Sequence, residues 1–209
     1  MRQRTLLTLA IALCLAACGQ KGKAGALAGT NGDSAAVAAE ASVADSMADG
    51  DILVQGDPSD PYQALVGTQF RDFSMNDMDG VQRSLSDFVG QPVKGKKHYV
   101  LVDFWASWCR PCMMEMPNVK RNWQQFKAQG FEVVGVSLDG DPMAWRMAAK
   151  NNGYSWVQLC DFKGFDSPAV RLYSLQYIPW NILCNDKGVI VAVNLRGEAL
   201  GTVLEQLYK

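Results

Sequence analysis

From Gln69 onward, apolar and polar positions alternate in short blocks that predict strands, turns and helices in succession. Gln69–Met75 and Val81–Leu85 flank Asp79-Gly80, a pair suited to a hairpin turn. Tyr99–Trp105 (YVLVDFW) is an apolar run broken by one carboxylate and reads as a central strand covered on both faces. Val119, Trp123 and Phe126 recur at spacings of four and three, which predicts a helix from about Arg110 to Gln129. Pro117 lies inside it and should kink it, and Gly130 should stop it. Phe131–Leu138 is a second buried strand. Asp141-Pro142 pairs an N-cap with a proline at the first helical position, opening a helix that runs to about Asn151. Trp156–Cys160 is a short strand, and Ser167-Pro168 starts a short helix. Trp180–Cys184 and Val189–Asn194 form strands around the Asn185–Gly188 turn, and the leucine pattern of Thr202–Tyr208 predicts a closing helix. Strands alternating with helices, then a hairpin, predict an α/β fold: a mixed central sheet with helices on both faces.

The first residues follow a different pattern. Met1-Arg2-Gln3-Arg4 is basic, and Thr5–Leu15 is apolar but too short to span a bilayer as a helix. Residues 1–17 therefore read as a signal peptide. Glycine, alanine, serine and aspartate dominate residues 19–60, and aromatics are absent before Tyr62. Such a stretch buries too little apolar surface to offset its ordering entropy, so residues 18–60 read as a flexible linker. About 40 such residues span roughly 35 Å root-mean-square. Residues 61–209 fit one domain. Leu15-Ala16-Ala17-Cys18 resembles the lipobox of bacterial lipoproteins. That resemblance implies lipid on Cys18, placing the chain in the bacterial cell envelope, anchored to a membrane and facing the periplasm. The formal net charge of −1 and the lack of a basic tract argue against a nucleic-acid partner.

Six cysteines are present. Cys14 belongs to the signal peptide and Cys18 to the lipobox-like site. Cys109 and Cys112 enclose Arg110-Pro111 at the predicted start of the long helix. Two intervening residues let the sulfurs reach bonding distance there. The helix N-terminus favours thiolate, so Cys109 is the expected nucleophile and Cys112, one turn inside, the resolving thiol. Arg110 adds positive charge beside Cys109, and Pro111 fixes a backbone dihedral and removes a donor. A structural zinc site needs four nitrogen or sulfur ligands, yet there is no second Cys-x-x-Cys and His98 is the only histidine. No metal and no other cofactor is expected. Cys160 and Cys184 could pair as a second disulfide or stay as buried free thiols, the default for cysteines in a core.

Val102-Asp103-Phe104-Trp105-Ala106-Ser107-Trp108-Cys109-Arg110-Pro111-Cys112 resembles the active-site strand and turn of thioredoxins. Extended through Glu115 and Pro117, the pattern is similar to the TlpA/ResA branch of membrane-tethered thiol–disulfide oxidoreductases. The resemblance implies a thioredoxin fold with an N-terminal β-hairpin and a helix–strand insertion between Asp139 and Cys160. By the same resemblance, Asp103 takes a proton from Cys112, and Glu115 lines the site and tunes the cysteines. Ile178-Pro179 occupies the place of a cis-proline whose neighbouring backbone pairs with substrate. Trp180 follows where the family has a small residue, and serves either as an apolar wall of the groove or as core. Trp108 is expected to be exposed for contact with partners. The implied activity is exchange or reduction of disulfides in exported client proteins, with a membrane thiol donor upstream. A peroxiredoxin-like thiol peroxidase, a narrow-client cytochrome-maturation protein and a binding module are the alternatives.

Overall fold

A computed structural model describes residues 52–209. The expected signal peptide, Cys18 and most of the linker lie outside these residues. The hairpin appears as β1 (Ser74–Asp77) and β2 (Gln82–Ser84), shorter than its hydrophobic pattern. There follow β3 (Tyr99–Trp105), α1 (Arg110–Phe126), β4 (Phe131–Ser137), α2 (Pro142–Asn152) and β5 (Val157–Cys160). The chain closes with α3 (Pro168–Tyr173), β6 (Trp180–Cys184), β7 (Ile190–Val193) and α4 (Glu198–Leu207). The seven strands form one sheet in the order β2-β1-β5-β4-β3-β6-β7. The β3–β4 and β4–β5 pairs are parallel, and the others are antiparallel.

Local chemistry accounts for the boundaries. Asp141 caps α2 by accepting from the Met143 N–H at 2.8 Å, and Gly153 ends it in the left-handed region. Helix α1 continues through Pro117 and gives way to a 3₁₀ turn over Lys127–Gln129. Gly130 follows at φ +112°, and a Cβ there would sit 2.2 Å from the Lys97 carbonyl oxygen. Only glycine allows β3 and β4 to start side by side at this point.

Alternation along β3 sets the two layers. On one face Tyr99 meets Tyr208 at the end of α4, and Tyr208 stacks on Phe126 of α1. On the other, Phe104 meets Tyr173 of α3 at 5.8 Å. Helices thus cover both faces, as the strand–helix order predicts. The β7 edge is not left open. The Val54 N–H donates to the Val191 carbonyl at 2.8 Å, and Gly67 to Ile190 at 2.8 Å. Leu53 and Val54 are buried. The packed domain therefore begins by residue 52, earlier than the linker composition through residue 60 suggests. The composition misleads because two apolar residues and one shared edge suffice to dock a short segment. Among the described residues, no helix is long and apolar enough to cross a membrane.

Candidate functional site

The parallel strand β3 delivers the chain to the carboxyl edge of the sheet, where Ala106–Trp108 turn it into α1. Cys109 is the N-cap of α1, with Pro111 in the first turn. Cys109 and Cys112 are joined by a disulfide with sulfurs 2.09 Å and Cα atoms 5.3 Å apart. The Cys112 N–H donates to the Cys109 sulfur at 3.2 Å. A helix N-terminal N–H aimed at this sulfur stabilises negative charge on it once the disulfide opens. Cys109 is 5 % exposed and Cys112 1 %, so Cys109 is the outer sulfur. Arg110 and Pro111 are exposed beside it.

The turn is held from just beyond β4, by a residue that the motif does not reveal. Buried Asp139 accepts from the Ser107 N–H at 3.0 Å, the Ser107 hydroxyl at 2.5 Å and the Ser137 hydroxyl at 2.7 Å. Register explains the contact: Trp105 and Ser137 pair in parallel, so positions two beyond each are neighbours.

Asp103 faces away from solvent in β3, 3 % exposed. Burial chiefly, and then the Glu115 carboxylate, push its pKa up to about 7, against the opposing pull of Arg196 and a hydrogen bond from Asn181. Asn181 is its partner across the β3–β6 pair. Glu115 is half-buried rather than a free first-turn acid. Its Oε1 accepts from the Gly197 N–H at 2.9 Å and the Asn118 side chain at 2.8 Å.

The Ile178–Pro179 peptide is cis. Register places it beside the redox turn, because Trp180 pairs with Phe104 and Pro179 therefore lies level with the end of β3. Ile178 is partly exposed and Pro179 buried. Trp108 is 57 % exposed and lies 6.5 Å from the exposed ring of Phe165.

Trp180 is core and not a wall of the groove. It is fully buried, with ring centroids 5.0 Å from Tyr62, 5.5 Å from Phe104 and 5.7 Å from Tyr173. Strand alternation explains this: Asn181 points to the Asp103 face and Trp180 to the opposite one. Cys160 and Cys184 are buried free thiols. Strands β4 and β3 separate β5 from β6, a distance beyond disulfide reach.

Residues 66–193 match the AhpC/TSA family. Thiol–disulfide oxidoreductase ResA of Bacillus subtilis (strain 168) is 29% identical over 141 residues, covering 68% of this chain and 70% of the relative. Thioredoxin-like protein YneN of the same strain is 32% identical over 132 residues, covering 62% of this chain and 71% of the relative. Among solved structures, the thioredoxin domain of a thiol–disulfide oxidoreductase from Bacteroides vulgatus superposes with a TM-score of 0.61 at 31% identity, covering 69% of this chain and 98% of that one. A thiol–disulfide oxidoreductase from Bacteroides fragilis NCTC 9343 gives 0.59 at 35% identity, covering 67% and 99%. With its Cys-x-x-Cys disulfide at a helix start and its thioredoxin-like sheet, this chain belongs to the AhpC/TSA family and is a thiol–disulfide oxidoreductase.

Proposed function

We propose that the protein is held to a membrane by lipid on Cys18 and, facing the periplasm, exchanges or reduces disulfides in exported proteins. The observation that carries the chemistry is the Cys109–Cys112 disulfide at the start of α1, with the outer sulfur on the helix cap. In the reducing direction, the Cys109 thiolate attacks one sulfur of a client disulfide. The client S–S bond breaks, a Cys109–client bond forms, and the departing client thiolate takes a proton. Cys112 then gives its proton to the Asp103 carboxylate and attacks the Cys109 sulfur. This expels the second client thiolate and leaves the Cys109–Cys112 disulfide, with two electrons passed to the client. A dithiol donor in the membrane returns the pair to its reduced form. The proton step draws support from a buried carboxyl that titrates near neutrality, at about 7. Glu115 tunes the cysteines from α1, and the Ile178 backbone pairs with the client chain beside the cis-proline. Trp108, Arg110 and Pro111 line the exposed approach to Cys109. A peroxidase setting is disfavoured because Ala106, three residues before Cys109, has no hydroxyl.

Thiol trapping in glutathione buffers tests the chemistry. The wild type is expected to show one reversible two-electron couple, lost in Cys109→Ser and Cys112→Ser. Cys112→Ser should also accumulate mixed disulfides with clients. Absence of both couple and adducts would overturn the reading. Cys18→Ala should release the protein from membranes, and unchanged retention would refute the lipid anchor.

A further inference from the structure

The loop between β7 and α4 carries a cation that the exchange steps above leave unused. Arg196 is half-buried there. Its Nη2 donates to the Pro179 carbonyl, and its Nε donates to the Asn194 Oδ1 at 2.9 Å. Asn194 is itself fixed, at φ +53°. Its N–H donates to the Asn181 carbonyl at 2.7 Å and its side-chain amide to the Asp60 carboxylate at 2.9 Å. The guanidinium also lies 5.9 Å from the Tyr177 ring centroid. Two donors in a planar fork are therefore aimed by a rigid surround, an arrangement that a lysine ammonium does not reproduce.

The residues on either side of Arg196 grip the same centre. The Leu195 N–H and carbonyl both bond the Asn181 side chain at 2.8 Å, and the Gly197 N–H bonds Glu115 at 2.9 Å. Three consecutive residues thus reach the strand neighbour of Asp103, the cis-proline and the acid on α1. The groups whose charge or polarity acts on the Asp103 carboxyl are Glu115 from α1, Tyr154 from the segment before β5, Asn181 from β6 and Arg196 from this loop. Of these four, Arg196 is the cation.

We propose that Arg196 is a positioning residue of the redox centre: it fixes the cis-proline peptide where a client strand docks, and its charge steadies the Asp103 carboxylate. The proposal rests on the docking edge and proton acceptor assigned under the proposed function. It separates into a grip, which needs the guanidinium shape, and a charge, which any cation supplies.

The test uses the full chain and two readouts. The Asp103 carboxyl is titrated by ¹³C NMR in the disulfide form. KM and kcat are measured with a synthetic peptide carrying one intramolecular disulfide, with dithiothreitol as electron source. Arg196→Gln should move the Asp103 midpoint upward from about 7, by on the order of half a pH unit or more. Its KM should rise several-fold. Arg196→Lys should hold the wild-type midpoint yet raise KM, since it keeps the charge and loses the two-point grip. A wild-type midpoint in Arg196→Gln, or a wild-type KM in Arg196→Lys, overturns the proposal. A residue that serves only folding would lower thermal stability and leave both readouts in place, which also overturns it. If Arg196→Gln does not fold, the Arg196→Lys pair of readouts still decides. Failure of the exchange reading itself would show separately, as loss of the two-electron couple in the wild type.

Discussion

Asp103 binds a proton more tightly in the folded protein than in the unfolded chain, because burial and Glu115 penalise its charge. An acid raised in this way favours the folded state while protonated. Its contribution is intact below the unfolded value near 3.8 and declines as pH climbs through about 7. Asp103→Asn should therefore increase the free energy of unfolding at pH 8, by on the order of 2–4 kcal/mol, with little change at pH 4. Urea titrations at the two pH values measure the difference. An equal change at both would contradict a buried charge as the cause. If Asp103 accepts the Cys112 proton as proposed, the same variant should slow release of the mixed disulfide. Trp180 makes a contrasting case. Its neighbours Tyr62, Phe104 and Tyr173 leave it no exposed surface. Trp180→Ala should cost about 3–5 kcal/mol in denaturant unfolding.

Among the elements, the turn between β3 and α1 depends on β4 as much as on its own sequence. Asp139→Ala would remove the acceptor of the part-buried Ser107 N–H and of the buried Ser137 hydroxyl. The expected cost is about 2–4 kcal/mol, with slower exchange, read by equilibrium unfolding and by client-disulfide reduction. Wild-type stability would show that water replaces the carboxylate without loss. Much of this level was legible beforehand. Tyr99–Trp105, Asp141-Pro142 and the Cys109–Cys112 start of α1 each carry a strong local signal, and each element lies where that signal places it. The misses have a common cause. Asp139 and Arg196 act on residues far away in sequence, so their roles come from strand register and loop closure and not from any local pattern. Trp180 was ambiguous because its place after Ile178-Pro179 suggested the groove. Once Phe104 is known to be its partner, pleating assigns it to the other face.

For the whole molecule, residues 52–60 pack on the domain, and Val54 joins Gly67–Gln69 in covering the β7 edge, whose backbone would otherwise be partly open to other chains. A chain starting at Pro61 should be less stable than one starting at Ile52. Loss of the Leu53 and Val54 burial alone predicts about 2–4 kcal/mol, measurable as a lower urea midpoint. It should also self-associate more readily, read by light scattering. The remaining cysteines bear on the molecule as a whole. Cys160 and Cys184 are enclosed, and burial pushes both thiols up, away from the thiolate form that attacks disulfides. Their burial insulates a single conductor: under the proposed function, a mixed disulfide on Cys109 has one internal route of resolution, through Cys112, and among the described residues no other exposed thiol to scramble with.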